Sequence, residues 1–182
     1  LAAVLFQLEK YGEAKLLCED SLEMNPEDAV ALLNLGNCRL KLALIEDALI
    51  LYARALKIRP DNADVLTNRG NALLELKMPE EALASHDQAL AVKPDFAEAL
   101  YNRGKVLLVL GRQEEALASL DRALAAKPDF ADAHNNRGNV LLKLNRPEEA
   151  LASYDRALGS KPDHAEALCN RGSALLEQDK LE

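Results

Sequence analysis

Five prolines recur every 34 residues along the chain, and a glycine and an asparagine keep the same interval. These residues are Pro26, Pro60, Pro94, Pro128 and Pro162; Gly36, Gly70, Gly104, Gly138 and Gly172; and Asn34, Asn68, Asn102, Asn136 and Asn170. A fixed period of roughly 20–50 residues indicates a stacked array, in which each unit buries its apolar face against its neighbours. Such an array has no single core and exposes a long surface. The period therefore favours a binding scaffold over an enzyme.

Composition limits the partners and the compartment. Hydrophobic residues make up 49% of the chain but aromatic residues only 4%, which favours closely packed helices rich in alanine and leucine. The net charge of −8 argues against nucleic acid and anionic membranes as partners, because both bind clustered Lys and Arg. No apolar run reaches the ~18 residues of a membrane span. Cys18, Cys38 and Cys169 show no metal-ligand or disulfide pattern, so we expect a reducing, cytoplasmic location.

Residues 131–164 illustrate how one repeat is expected to fold. Pro128-Asp129 ends the preceding helix, and Asp129 is predicted to cap the next one with Asp132 completing a capping box. Pro147 then opens a second helix, since proline fits the first helical position. The same capping arrangement is predicted for Asp61/Asp64, Asp95/Glu98 and Asp163/Glu166. Each repeat is therefore predicted to be a pair of antiparallel helices.

Small residues are predicted where the two helices of a repeat approach closely. Gly138 lies inside the first helix, where glycine costs about 0.5–1 kcal/mol relative to alanine. Because the same position is glycine in five repeats, we infer a steric requirement. We expect Gly138 to face Ala150 and Ala157 of the second helix.

Residues 29–62 carry a pattern that resembles a known family. Leu32, Leu35-Gly36, Ala48, Tyr52, Ala55 and Pro60 match the tetratricopeptide repeat (TPR). The resemblance covers the whole chain and implies an all-α fold, a right-handed α-α superhelix (solenoid) of 34-residue helix hairpins. It implies a single array over 1–182: a partial repeat 1–28, then 29–62, 63–96, 97–130 and 131–164, and a closing helix 165–182. Because the chain starts with Leu1 and both ends fall within repeats, we expect a fragment of a longer protein.

The residue pattern of the repeats is similar to that of bacterial TPR proteins and to that of the superhelical arm of O-linked N-acetylglucosamine transferases. That resemblance implies a substrate-recognition arm of a larger protein such as a glycosyltransferase. It also implies that the second, fifth, sixth, ninth and thirteenth positions of each first helix line a concave groove. The peptide-binding residues predicted there are Asn34, Asn37, Asn68, Asn71, Tyr101, Asn102, Lys105, Asn136, Asn139 and Asn170.

An asparagine amide both donates and accepts, which suits pairing with a peptide group. First helices about 10 Å apart would place one asparagine beside every third residue of an extended ligand, which rises ~3.3 Å per residue. The alternative is that these asparagines make structural hydrogen bonds. The acids Asp64, Glu98, Asp132 and Glu166 at the second position either form a negative rim that favours basic ligands or complete helix caps. Lys and Arg are missing from the fifth and sixth positions, which argues against the carboxylate-clamping mode of cochaperones.

Three arginines at the seventh position are predicted to form ion pairs within their own repeats; the alternative is that they form an anion site. The predicted pairs are Arg69–Asp87, Arg103–Asp121 and Arg137–Asp155. The histidines occupy unrelated positions, and we expect His86 and His134 to be buried where aromatic residues pack.

The sequence predicts a protein-interaction scaffold that binds an extended peptide, with no catalytic set, metal site or cofactor. The alternative is a structural spacer or self-assembly module that stacks end to end through exposed repeat faces.

Overall fold

The computed structural model describes residues 10–178, and all regular secondary structure in this range is α-helical. The helices are α1 Tyr11–Met24, α2 Ala29–Lys41, α3 Ile45–Ile58, α4 Ala63–Glu75, α5 Pro79–Val92, α6 Ala97–Val109, α7 Gln113–Ala126, α8 Ala131–Lys143, α9 Pro147–Ser160 and α10 Ala165–Gln178. The predicted all-α class is confirmed. Residues 1–9 of the predicted partial repeat 1–28 and residues 179–182 of the predicted closing helix 165–182 lie outside the described residues.

The helices form two compact units, Leu1–Pro94 and Asp95–Glu182. In the first unit α2 pairs with α3 and α4 with α5, and in the second α6 pairs with α7 and α8 with α9. Within each unit the second helix of a hairpin also packs against the first helix of the next. Inside each unit, successive helices therefore pack on one another along the chain, as a repeat architecture requires.

Three-residue turns reverse the chain inside each hairpin. The middle residue of each turn has a positive φ, 59° at both Ala43 and Lys77, 73° at Gly111 and 55° at Asn145. In the turn at Lys77, the Met78 amide donates to the Leu73 carbonyl at 3.0 Å, which closes the end of α4. The left-handed residue thus sets the hairpin geometry even where the sequence places a residue with a Cβ.

The predicted capping aspartates are wrong by one residue. Asn62, Phe96 and Phe130 occupy the N-cap positions of α4, α6 and α8, one residue after Asp61, Asp95 and Asp129. At α10, which follows Asp163, the Ala167 amide donates to His164 Nδ1 at 3.4 Å. The Pro-Asp dipeptides lie in the turn before the cap, because an extended residue must separate that turn from the helix. Pro79 and Pro147 begin second helices as predicted.

Glycine in the first helix admits a large side chain from the second. A Cβ at Gly138 would lie 2.5 Å from Tyr154 Cε1, and one at Gly36 would lie 2.5 Å from Tyr52 Cε1. The predicted close approach is therefore confirmed at these two positions but not at Gly172, where a Cβ would have no atom within 4 Å. The partner is different, since Tyr154 fills the space instead of Ala150 and Ala157.

The buried side chains of each unit lie between its helices. In the first unit Leu32, Tyr52 and Val65 are fully buried in one cluster, and in the second Leu141 and Tyr154 pack with Ala174. The polar positions of the first helices are left at the surface by this packing, and these positions carry the candidate site.

Candidate functional site

The ten predicted peptide-binding residues form what we call the asparagine face of each unit: Asn34, Asn37, Asn68 and Asn71 in the first, and Tyr101, Asn102, Lys105, Asn136, Asn139 and Asn170 in the second. Every asparagine in this set is half-buried, Tyr101 is half-buried and Lys105 is exposed. Side chains in this condition are accessible to a ligand while their rotamers are restricted by neighbours.

In the first unit, Asn37 connects three helices. Its Oδ1 accepts from the Tyr52 hydroxyl at 2.8 Å and from Asn68 Nδ2 at 2.9 Å. Burial raises the pKa of Tyr52 above its usual range, so this hydroxyl stays a donor. Asn34 lines a cleft of about 280 Å³ together with Cys18 and Asp28. The face of this unit is thus built on a bond between successive repeats.

In the second unit, two amides make the equivalent connection with different partners. Asn136 Nδ2 donates to the Tyr101 hydroxyl at 3.2 Å, and Asn170 Nδ2 donates to Asn135 Oδ1 at 3.0 Å. Asn139 Oδ1 accepts from the Tyr154 hydroxyl at 2.7 Å. Asn135 is not among the binding residues predicted from the sequence. The signal was available, because the fifth position is leucine, threonine or tyrosine in the preceding repeats and asparagine here.

Tyr101 provides the aromatic surface of the second unit. Its ring centroid lies 4.8 Å from that of Phe130, and Lys105 Nζ lies 5.5 Å from the Tyr101 centroid. Burial is the main cause that raises the pKa of Tyr101, which keeps its hydroxyl neutral. Phe130 is likewise absent from the residues predicted from the sequence, since an aromatic residue at the end of a repeat is usually part of the core.

Carboxylates border the same face in the second unit. Asp132 accepts from His164 Nε2 at 3.0 Å, and Glu166 Oε2 accepts from Asn135 Nδ2 at 3.5 Å. The side chains of Asp132 and Glu166 are exposed, so their charge reaches the solvent beside the asparagines. Neither acid completes a capping box with the preceding Pro-Asp aspartate, because that aspartate is not the N-cap.

The predicted ion pairs within repeats are wrong. Arg137 Nε donates to Asp121 Oδ1 of the preceding repeat at 2.6 Å, and Arg171 makes the same bond to Asp155. No ion pair joins Arg69 to Asp87 in the described residues. The seventh position of a first helix faces the preceding second helix, so the nearest aspartate belongs to the repeat before. Within its own repeat Arg137 donates instead to Ser153 Oγ at 2.6 Å.

Histidine and cysteine side chains in the described part of the chain bear on metal binding and nucleophilic chemistry. His86 is buried as expected, but His134 is only half-buried, and its Nε2 donates to the Pro128 carbonyl. Within residues 10–178 no group of three or more His, Cys, Asp and Glu side chains is placed to hold a metal ion. Burial, with Cys38 nearby, raises the pKa of the Cys18 thiol to about 11, which makes it a poor nucleophile. None of the described helices is long and apolar enough to cross a membrane.

Helix hairpins that begin every 34 residues and present polar first helices define a class, the α-helical repeat proteins. Tetratricopeptide repeat models match residues 5–69, 67–131 and 131–164. The structure of TTC0263, a thermophilic TPR protein of Thermus thermophilus, is 30% identical with a TM-score of 0.81, and the match covers 97% of this chain and 96% of that one. The chain therefore belongs to the tetratricopeptide repeat family, as the sequence predicted.

Two further solved structures are similar. YrrB, described as a TPR protein with an unusual peptide-binding site, is 26% identical with a TM-score of 0.73, over 94% of this chain and 88% of that one. PilW, described as a widely conserved type IV pilus biogenesis factor, is 26% identical with a TM-score of 0.83, over 100% of this chain and 89% of that one. The comparison with curated proteins gives no match. As a TPR array, the chain is a protein-interaction scaffold.

Proposed function

We propose that the asparagine face of each unit binds an extended peptide segment, mainly through the main chain of the peptide. The observation that supports this most directly is the orientation of the amides. Asn68, Asn136 and Asn170 each donate Nδ2 to the preceding first helix, at 2.9, 3.2 and 3.0 Å. Both predicted roles of the asparagine, structural and ligand-binding, then reside in one side chain.

A side-chain amide held by its nitrogen has its oxygen turned to a defined side. The oxygen diverges from the nitrogen by about 120° in the amide plane and retains acceptor capacity. The half-buried asparagines therefore offer carbonyl oxygens to the N–H groups of a ligand backbone. Because the side chains are already ordered, binding costs less conformational entropy than it would with free side chains.

Ligand side chains are expected to be selected in the second unit. Tyr101, packed on Phe130, offers a flat apolar surface beside the donors and acceptors of the face. The exposed carboxylates of Asp132 and Glu166 favour basic segments over acidic ones. The peptide-binding site named for YrrB, a relative with 26% identity, supports a ligand of this class.

Self-association is the second candidate function. Leu168 and Leu176 of α10 are 52% and 64% exposed. At the same repeat position as Leu168, Leu32 and Leu100 are fully buried, because a second helix covers them. A second copy of the chain would reduce this exposure by stacking end to end. Light scattering over a concentration series distinguishes this function from peptide binding by a monomer.

Recruitment of substrates for a glycosyltransferase, and a cytoplasmic, bacterial context, remain predictions from the sequence. Peptide binding to the asparagine faces does not depend on either of them, so it is tested first.

The test is a random peptide library displayed against the chain and against its Asn68/Asn102/Asn136→Ala variant. We expect extended ligands with weak sequence preference and an excess of Lys and Arg, and at least tenfold weaker binding by the variant. That loss corresponds to a few hydrogen bonds of about 0.5–1.5 kcal/mol each. Circular dichroism checks that the variant keeps its helix content, because Asn68 and Asn136 also connect repeats.

The matched control changes neutral polar side chains outside the face, Gln88→Ala with Asn145→Gly. Both positions are exposed, and glycine suits the positive φ of 55° at Asn145. Equal binding by the wild type, the triple variant and this control would show that the asparagine face does not bind the peptide.

A further inference from the structure

A cleft of about 290 Å³ opens between α7, α8 and α9, within the second unit. Its lining includes Asp121 and Leu124 of α7, His134 and Arg137 of α8, and Arg156 of α9. The fourth and seventh positions of α8 supply His134 and Arg137. At about 100° per residue, these positions lie on the opposite side of the helix from its sixth and ninth positions. The cleft is therefore separate from the asparagine face.

Comparison with an earlier repeat shows why Arg156 lines this cleft. Three repeat lengths upstream, Arg54 Nη2 donates to the Pro26 carbonyl at 3.3 Å. The equivalent carbonyl for Arg156 is that of Pro128, and here His134 Nε2 bonds to it at 2.9 Å. Leucine occupies the position of His134 in the two preceding repeats and cannot make that bond. His134 thus replaces Arg156 at the carbonyl.

Because His134 takes this carbonyl, the guanidinium of Arg156 is left without a hydrogen-bond acceptor among the described residues of the cleft. Arg137 is occupied on two sides, by Asp121 Oδ1 and by Ser153 Oγ, both at 2.6 Å. Arg156 is exposed and makes no hydrogen bond or ion pair with any residue between 10 and 178. A guanidinium presents paired N–H donors that match a carboxylate. The cleft therefore carries a net positive charge in a chain whose net charge is −8.

We propose that this cleft binds an acidic segment of a partner protein, with a carboxylate paired to Arg156. Leu124 and Ala152 form apolar walls, which suit the methylene groups of a glutamate side chain better than a bare inorganic anion. The asparagine face of the same unit is bordered by Asp132 and Glu166 and repels such a segment. The two surfaces would thus select ligands of opposite charge.

The test is a titration with acetyl-tetraglutamate amide at about 50 mM salt, followed through the arginine Nε–Hε resonances in ¹H–¹⁵N NMR spectra. We expect the Arg156 resonance to shift and Arg156→Gln to weaken binding about tenfold or more. His134→Leu leaves the charges of both arginines in place but frees the Pro128 carbonyl. Arg156 should then return to that carbonyl, and binding should fall to the level of Arg156→Gln.

Arg54→Gln is the matched control, because Arg54 holds the equivalent position and is already bonded to Pro26. Its binding should change less than twofold. An equal loss of binding in Arg54→Gln would show that the peptide is held by general charge attraction. Unchanged binding in His134→Leu would show that His134 does not free Arg156 to bind the peptide. Either result overturns the proposal, as does inorganic phosphate binding as tightly as the peptide, which would mark the cleft as a small-anion site.

Discussion

Replacing glycine by alanine at two equivalent helix positions should change stability in opposite directions. Gly138 of α8 and Gly172 of α10 occupy the same position of the repeat. A Cβ at Gly138 would lie 2.5 Å from Tyr154 Cε1 and 2.7 Å from its Cζ, whereas a Cβ at Gly172 would have no atom within 4 Å. The helix propensity of the two substitutions is the same, so packing alone distinguishes them.

The magnitudes follow from the geometry. Ordinary carbon contacts begin at about 3.5 Å, so the Tyr154 ring would have to move by about 1 Å. The ring is fully buried and its hydroxyl donates to Asn139 Oδ1 at 2.7 Å, which leaves it little room. Overpacking costs about 1–3 kcal/mol, and alanine returns about 0.5–1 kcal/mol of helix stability. Because the contact is with a fully buried ring at 2.5 Å, the upper part of the overpacking range, about 2–3 kcal/mol, applies. Gly138→Ala should therefore lose about 1–2.5 kcal/mol, and Gly172→Ala should gain about 0.5–1 kcal/mol.

Urea unfolding followed by far-UV circular dichroism measures both changes in the free energy of unfolding. Gly104→Ala is an internal calibration, because its Cβ would meet the flexible Leu120 at 3.0 Å, and its effect should lie between the other two. If Gly138→Ala were as stable as the wild type, or Gly172→Ala were the more harmful of the two, glycine would not be required by the aromatic side chain.

Three further outcomes are expected. A double-mutant cycle on Arg137 and Asp121, measured by urea unfolding, should give a coupling energy of about 0.5–1 kcal/mol. A cycle on Arg137 and Asp155, which belong to the same repeat, should give no coupling. Lys77→Gly should raise the free energy of unfolding by about 0.5–1 kcal/mol, because the φ of 59° at Lys77 strains a residue with a Cβ but not glycine. A lower free energy of unfolding in this variant would show that Lys77 is not strained. At pH 8, iodoacetamide should label the exposed Cys169 well before Cys18, because the Cys18 thiol is buried and has a pKa of about 11. Mass spectrometry measures both labelling rates, and equal rates would show that burial does not protect Cys18.

Much of the fold could be predicted from the sequence because its signals are local. Proline at the start of a second helix reflects a short-range rule, and that prediction was confirmed at Pro79 and Pro147. The steric requirement inferred from the recurring glycine was confirmed at Gly36 and Gly138 but not at Gly172, because it depends on a side chain of the second helix. The caps were misplaced because a Pro-Asp dipeptide resembles a capping signal, although the backbone places Asn62 and Phe130 there instead.

The candidate site was less predictable, because its bonds join residues about one repeat apart. Asn68 bonds to Asn37, but Asn136 bonds to Tyr101 and Asn170 to Asn135. The same amide thus chooses its partner according to which side chains the preceding helix offers. No count of residues along one helix contains that information.

By itself, the sequence determined the class of protein, the length of the repeat and the polar character of the first helices. These follow from periodicity, since a pattern repeated every 34 residues can bury its apolar positions only by stacking. The tertiary structure decided which neighbours meet. Arg137 pairs with the preceding repeat, Tyr154 fills the space over Gly138, and His134 displaces Arg156 from a carbonyl. Each of these outcomes depends on distances between helices, and those distances are fixed only when the helices pack.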